Sequence, residues 1–162
     1  MFLRNRMLVS ISGINDNKFK KSMLMACEFY LETLLPKQLR KHIILDIEVD
    51  RKLDDDADGY CEVTGYNRQG KPREFSILLK KNKSKRYMLM TLAHELVHVK
   101  QFATGELHES MNVWKGKRMP SKTDYWDTPW EVEAHGREAG LYTRFCEKHH
   151  LKFKRTTVER DN

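Results

Sequence analysis

The sequence predicts an α+β fold built as one domain over residues 1–162. Three short apolar runs with strand character follow one another between residues 42 and 80, which favours an antiparallel or mixed sheet. Three longer segments instead have the apolar period of 3.6 residues that helices require. With 40% apolar residues and no internal repeat, the chain can bury one core. We therefore expect the element order β-α-β-β-β-α-loop-α.

The start of the chain predicts a strand and then a helix. Residues 7–14 alternate weakly and indicate a strand; a secretory signal is the alternative, which the short and broken apolar part disfavours. Asp16 can cap a helix that runs to about Leu35, because Pro36 prevents its continuation. The apolar face of this helix consists of Phe19, Met23, Ala26, Cys27, Tyr30 and Leu34.

The middle of the chain predicts the rest of the sheet. Residues 42–50 are rich in β-branched side chains, and residues 60–66 and 73–80 predict an antiparallel hairpin beside them. We expect strand 73–80 to be a sheet edge to which an extended peptide can add. Residues 54–59 match the first half of a calcium-binding loop, but the twelfth position is Gly65 instead of a glutamate. An acidic connecting turn is therefore the preferred interpretation.

The second half of the chain predicts two helices separated by a loop. Ser84 is the expected cap of a long first helix. Residues 104–128 have no periodicity and predict an ordered loop. The last helix is expected to begin near Pro129 and to run to about Lys148, before a polar, frayed tail at residues 152–162.

Composition limits the class of protein. No apolar run is long enough to span a membrane. The three cysteines are too few and too far apart for a disulfide framework, so we expect a reducing, cytoplasmic location. We also expect a monomer. The formal charge is +7, with basic clusters at residues 80–86 and 148–155. Such clusters can attract nucleic acid, although a solvated surface is the simpler explanation.

The most informative stretch is the motif His-Glu-x-x-His at residues 94–98. In a helix, His94 and His98 lie one turn apart, so both imidazoles can reach one metal ion. Glu95 lies about 100° around the axis from His94, where it can hold a water molecule instead of binding the ion. This combination predicts a zinc site with a catalytic base.

An ordinary amphipathic helix that happens to carry two histidines is the alternative interpretation. The face opposite the histidines is apolar and consists of Leu89, Leu92, Leu96, Val99 and Ala103. Histidines of a core helix would more naturally share that apolar face. The arrangement therefore favours a metal site.

A catalytic zinc ion usually has three protein ligands, so a third must be found. The pattern HExxHxxGxxH fails, because Gln101 and Thr104 occupy its last two defined positions. In the final helix, Glu131 shares one face with small and aromatic residues that suit an interior. Glu133 and Arg137 instead form an i,i+4 ion pair on a face that we expect to be exposed. We therefore predict Glu131 as the third ligand.

Alternatives remain for this helix. Thr128, Pro129 and Glu131 also match a capping box, and in that case His135 or Glu138 would be the ligand. If Glu131 is the ligand, His135 is one turn away and can hydrogen-bond a ligand or contact the oxyanion of a reaction. Further candidate oxyanion donors are Tyr125 and Arg137. Further candidate cleft residues, which packing on the core would explain equally, are Trp114, Trp126 and Trp130.

The two motifs together resemble a known family. His94-Glu-Leu-Val-His98, followed by Pro129-Trp-Glu-Val-Glu-Ala134, is similar to the zincin metallopeptidases of the gluzincin type, which pair HExxH with a glutamate in a motif E-x-x-x-(D/N). Glu131 matches the ligand position of that motif, and residue 135 is a histidine where the family has Asp or Asn. The chain also resembles small phage-encoded metallopeptidases and, more distantly, SprT-like proteases. The resemblance covers about residues 84–148.

The resemblance implies a small zincin-like domain that hydrolyses peptide or protein substrates. In that family, zinc would be held by residues matching His94, His98 and Glu131, and would lower the pKa of its bound water. The residue matching Glu95 would accept the water proton and pass it to the leaving amine. Two other functions compete with this one: a basic module associated with nucleic acid, with a structural or vestigial zinc site, and a protease acting on DNA-bound proteins.

Overall fold

The computed structural model describes residues 7–53, 56–82 and 84–152. It has the mixed α+β composition that the sequence predicts. In chain order the elements are β1 Leu8–Ser12, α1 Asn17–Leu34, α2 Lys37–Arg40, β2 Ile44–Asp50, β3 Gly59–Tyr66, β4 Pro72–Lys80, α3 Lys85–Thr104, β5 Val113–Trp114, β6 Lys117–Arg118, a 3₁₀ helix Tyr125–Asp127 and α4 Pro129–His149.

The main sheet has the strand order β1-β2-β4-β3. β1 and β4 both pair with β2 in parallel, and β3 pairs with β4 antiparallel, so the predicted hairpin is confirmed. The prediction that strand 73–80 is a sheet edge is wrong, because β4 lies between β2 and β3. Its inward residues Phe75, Ile77 and Leu79 are at most 1% exposed, which suits a central strand. The strand at this edge of the sheet is β3, the other strand of the hairpin.

One face of the sheet is covered by helices. In β2, exposed and buried residues alternate strictly, so one face of this strand packs on the core and the other faces solvent. Helix α3 is central: it contacts β3 and β4 on one side and both α1 and α4 elsewhere. The hydroxyl of Tyr30 in α1 donates a hydrogen bond to the carbonyl of Leu89 in α3, at 3.2 Å, and fixes the two helices together.

The helix boundaries follow the predicted capping residues. The Asp16 carboxylate accepts from the Phe19 amide at 3.1 Å, and the Ser84 hydroxyl accepts from the Tyr87 amide at 3.2 Å. Helix α3 ends at Gly105, whose φ of 77° is in the left-handed region that glycine adopts at low cost. These caps fix where the motif at residues 94–98 lies within α3.

The segment 104–128 is mostly irregular, as predicted, but it contains elements too short to show periodicity. β5 and β6 form a two-stranded hairpin, and the 3₁₀ helix lies just before α4. Trp114 packs against Trp130 with ring centroids 6.4 Å apart. This loop therefore has its own internal order and packs on the start of α4.

Several sequence features lie partly outside the described residues. Asp54 and Asp55 of the acidic turn are outside them, as are Lys83 and residues 153–162, which include much of the second basic cluster and the tail. Among the described residues, no helix combines the length and the apolar character that crossing a membrane demands. The three cysteines are all unpaired.

Candidate metal centre

The two motif histidines face a pocket on the side of α3 away from its apolar stripe. The predicted stripe is confirmed, since its five residues are at most 5% exposed. The pocket has a volume of about 500 Å³. It is lined by Asp56, Ala57, Asp58, Gly59, Tyr60, Cys61, Tyr87, Met90, Thr91, His94, Glu95, His98, Met111, Tyr125, Trp126, Glu131, His135 and Glu138.

Three predicted ligands converge in this pocket. The Nε2 atoms of His94 and His98 are 3.2 Å apart. Glu131 reaches from α4 and places Oε2 3.2 Å from His94 Nε2 and Oε1 3.4 Å from His98 Nε2. All three residues are buried, with at most 8% of their surface exposed. Helices α3 and α4 thus bring the three side chains together, while their role as metal ligands stays a prediction.

The spacing of these atoms fits a tetrahedral zinc ion. Ligands about 2.0–2.1 Å from zinc lie about 3.3 Å from one another in a tetrahedron. The two imidazole nitrogens are 3.2 Å apart, and each lies 3.2 to 3.4 Å from a different oxygen of Glu131, so all three contacts are close to that value. Two imidazoles and a carboxylate are also a donor set that zinc accepts. The residues therefore fit zinc.

Glu131 does not serve as a helix cap, so the capping-box alternative is wrong. The Thr128 hydroxyl makes no capping hydrogen bond and instead donates to the carbonyl of Tyr125 at 2.7 Å. The Glu131 carboxylate accepts from the hydroxyl of Tyr125, also at 2.7 Å, and points at the two histidines. Glu131 is buried, as is Ala134 on the same helix, so its carboxylate lies in the interior and does not cap the end of the helix.

Each motif histidine has a partner for its other ring nitrogen. His94 Nδ1 lies 2.9 Å from Oε2 of Glu138, and His98 Nδ1 lies 2.8 Å from Oε1 of Gln101. Both partners accept, so both Nδ1 atoms carry hydrogen and both Nε2 atoms can present lone pairs. Two lone pairs and a carboxylate that face one another repel unless a cation, either a proton or a metal ion, lies between them.

In the metal-free cluster, the pKa values of these three groups favour a proton at this position. Burial works against the charged imidazolium, but hydrogen bonds to Glu131 and Glu138 outweigh it and raise the pKa of His94 to about 10. Burial also tends to lower the pKa of His98, but the hydrogen bond to Glu131 outweighs it, so this pKa is raised above its usual value. Burial alone would raise the pKa of Glu131, but the hydrogen bonds from both histidines outweigh it and hold this pKa well below its usual range. The carboxylate thus remains ionised and ready to bind a cation.

Glu95 lines the same pocket but is not part of the ligand triangle. Its side chain is buried, and no hydrogen-bond donor to it is found among the residues that the structure describes. Burial raises its pKa to about 6, although the nearby His98 and His94 oppose the rise. A Cβ atom at Gly59 would lie 2.7 Å from Glu95 Oε1, so a side chain at this position would displace the carboxylate from where it lies.

His135 lies beside the triangle, further from its centre. Its Nε2 is 3.9 Å from Glu131 Oε2, and its ring centroid is 4.5 Å from that of His94. Ligand atoms of His94, Glu131 and His135 all lie within 4.8 Å of one another, but the His98 contacts are tighter and fit zinc better. In the described part of the chain, His135 Nε2 is enclosed without a hydrogen-bond partner, while Trp126 stacks on the ring at 4.7 Å.

The expectation of an exposed face around Glu133 is only partly correct. Its ion pair with Arg137 is present at 3.0 Å, and Arg137 is exposed. However, Glu133 also accepts from Lys100 at 2.8 Å and from Gln101 at 3.0 Å. The crossing of α4 over α3 places this side chain between the helices, which the angular positions on one helix could not reveal. Arg137 does not line the pocket, in contrast to the other oxyanion candidates.

The positions of two residues in the site do not follow from the sequence patterns. Gln101 is a departure from a known pattern and Glu138 an alternative ligand, yet in the structure they are the partners of His98 and His94. The i,i+3 spacing from His98 to Gln101 was a usable signal, because such pairs are neighbours on a helix. Glu138 lies on a different helix and gave no such local signal. Of the three tryptophans, Trp126 alone lines the pocket.

Comparison with known proteins adds no relative: no family model matches the chain, and neither curated proteins nor solved structures show a match to it.

Proposed function

We propose that this protein is a zinc-dependent peptidase in which His94, His98 and Glu131 hold the metal and Glu95 is the general base. The observation that carries the proposal is the buried cluster of two imidazole nitrogens and a carboxylate, with contacts of 3.2 to 3.4 Å, beside a buried glutamate for which the described residues offer no hydrogen-bond donor. A structural zinc site has no need for such a glutamate, and it is usually closed by a fourth protein ligand.

Zinc bound here would supply the usual chemistry of that ion, lowering the pKa of a coordinated water and polarising a carbonyl. Glu95 is the residue that would take up a proton from the attacking water and deliver it to the leaving amine. In the metal-free protein burial raises the pKa of Glu95 to about 6, and the carboxylate is still ionised near neutral pH, as a base must be.

His135 is the residue proposed to contact the oxygen that gains negative charge. Its Nε2 has no hydrogen-bond partner among the described residues, but it is enclosed, so a substrate oxygen can bond to it only after the surrounding side chains move. Trp126 stacks on the ring and restricts its orientation. Tyr125 is engaged with Glu131 and acts through that ligand instead.

A peptide is the proposed substrate because an edge strand borders the pocket. In the described sheet β3 is an edge strand that pairs with β4, and its first three residues, Gly59 to Cys61, line the pocket. An extended peptide can add to an edge strand through main-chain hydrogen bonds. This role replaces the one that the sequence suggested for β4.

No specific observation favours the alternative function in nucleic-acid binding. In the described part of the first basic cluster, Lys85 forms an ion pair with Asp16 at 2.9 Å and Arg86 lies over the ring of Tyr142. The pocket lining contains five carboxylates and no lysine or arginine among the described residues. A phosphate backbone would be repelled from such a pocket.

Purified protein is expected to contain about one zinc ion per chain, because three buried ligands converge on one point. Elemental analysis after mild dialysis measures this content. Cleavage of an unstructured protein, abolished by a chelator and restored by added zinc, would then establish the activity. Folded, metal-free protein that takes up no added zinc would refute the proposal.

Zinc binding at pH 7 is expected to release at least one proton, because His94 with a pKa of about 10 is protonated in the metal-free protein and the raised pKa of His98 adds to the protons that zinc displaces. Protons compete for this site at every pH below the pKa of His94. The apparent zinc affinity should therefore rise by at least about tenfold per pH unit between pH 7 and 9. Calorimetry in buffers of different ionisation enthalpy counts the protons. A heat that does not depend on the buffer would contradict this.

A further inference from the structure

We propose that Gln101 is a positioning residue that gives His98 its metal-binding tautomer, and that it does so only while α4 is docked on α3. This proposal rests on the metal centre proposed above. It concerns a residue that does not line the pocket and does not touch the metal position.

The amide of Gln101 lies at the junction of the two helices. Its side chain is fully buried near the end of α3. Its Nε2 donates to the carbonyl of Trp130 and to Oε2 of Glu133, each at 3.0 Å, and its Oε1 lies 2.8 Å from His98 Nδ1. The amide therefore has partners for both N–H bonds and for its oxygen.

These partners fix which way the amide faces. A carbonyl and a carboxylate can only accept, so the nitrogen of Gln101 must point toward Trp130 and Glu133. A flipped amide would place its oxygen against two acceptors. The oxygen therefore faces His98, whose Nδ1 must carry the hydrogen. The remaining nitrogen of His98, Nε2, then presents its lone pair toward Glu131.

The groups that orient Gln101 belong to the helix that carries the third ligand. The carbonyl of Trp130 immediately precedes Glu131 in the chain, and Glu133 follows two residues later. Glu133 is itself held by Lys100 at 2.8 Å and by Arg137 at 3.0 Å. When α4 is docked, one amide therefore links the tautomer of His98 to the position of Glu131.

His94 has no equivalent dependence on orientation. Its partner Glu138 is a carboxylate, which accepts a hydrogen bond with either oxygen. An amide presents an acceptor in one orientation and a donor in the other. The two acceptors on α4, the Trp130 carbonyl and the Glu133 carboxylate, therefore select the orientation in which the Gln101 amide accepts from His98.

The first test replaces the amide with an apolar side chain of similar length. Gln101→Met is expected to bind zinc ~10–100-fold more weakly, the range typical for loss of a residue that orients a metal ligand. Chelator competition measures the affinity, and circular dichroism checks the fold. Gln38→Met makes the same chemical change at an exposed position of α2 and should leave the affinity unchanged. Folded Gln101→Met that binds zinc as tightly as the native protein would overturn the proposal.

The second test keeps an acceptor beside His98. Gln101→Glu combined with Glu133→Gln offers His98 Nδ1 a carboxylate, which accepts with either oxygen, and places an amide donor opposite it on α4. This double variant should bind zinc more tightly than Gln101→Met, which offers His98 no such acceptor. A double variant that binds zinc no better than Gln101→Met would count against the proposal.

The native protein provides a measurement that needs no variant to fold. Long-range ¹H–¹⁵N correlation spectra report which histidine nitrogen carries hydrogen, and His98 Nδ1 is expected to do so in zinc-loaded protein. Zinc on Nδ1 instead would overturn the proposal. Native protein that binds no zinc would refute the metal centre itself. Protein that binds zinc as described but cleaves no peptide would refute the peptidase function and leave the role of Gln101 supported.

Discussion

Glu95→Gln is expected to lower peptide hydrolysis by at least ~10²–10⁴-fold, the contribution that a general acid–base group typically makes. The amide has the same shape and can still hydrogen-bond water, but it cannot take up a proton. Because Glu95 lies outside the ligand triangle, zinc content and thermal stability should stay close to those of the native protein. Initial rates on an unstructured protein substrate, with zinc measured on the same sample, provide the test.

The matched control for this experiment is Glu28→Gln, which removes the same charge from an exposed position of α1. Its activity should equal that of the native protein. Zinc-loaded Glu95→Gln that retains full activity would mean that the cleavage has another source, and the assignment of a base in this motif would be wrong. A loss of zinc together with activity would instead make Glu95 a part of the metal site.

Glu131→Gln should weaken zinc binding by more than the ~100-fold upper range seen when a residue that orients a ligand is lost. The change removes the negative charge that faces both imidazole nitrogens, and it leaves a single oxygen where the carboxylate has two, one of which accepts from the Tyr125 hydroxyl. Chelator competition with a fluorescent zinc indicator gives the affinity. Since hydrolysis requires the metal, activity should fall in parallel unless zinc is supplied in large excess.

Glu147→Gln provides the control on the same helix, because this glutamate is exposed and lies outside the pocket. It should bind zinc as the native protein does. An equal affinity in Glu131→Gln and Glu147→Gln would remove Glu131 from the ligand set. His135, whose Nε2 lies 3.9 Å from the Glu131 carboxylate, would then be the next residue to test.

The parts of the fold that the sequence predicted are those determined locally. Asp16 and Ser84 cap the helices that they were expected to cap, because a capping bond spans only three residues. The side of α3 that carries the histidines followed from helical period alone. The angular position of Glu131 on α4 likewise identified it as an inward-facing residue, and its capping alternative was excluded only by the observed contacts.

The features that the sequence did not predict depend on contacts between distant segments. The place of β4 inside the sheet results from pairing with β2, some 30 residues earlier in the chain. The half-buried position of Glu133 between the helices and the approach of Glu138 to His94 result from the crossing of α3 and α4. Local patterns contain no information on that crossing, because several packing angles suit the same apolar stripe.

The division of the ligands between two helices has a consequence for the order of folding. His94 and His98 come together as soon as α3 forms, but Glu131 arrives only after the 104–128 segment has been closed and α4 has docked. An isolated pair of histidines holds zinc weakly, so the ion gains its full affinity late. Interactions that form after the transition state slow unfolding more than they speed folding. Bound zinc would thus stabilise the native state chiefly by slowing its unfolding.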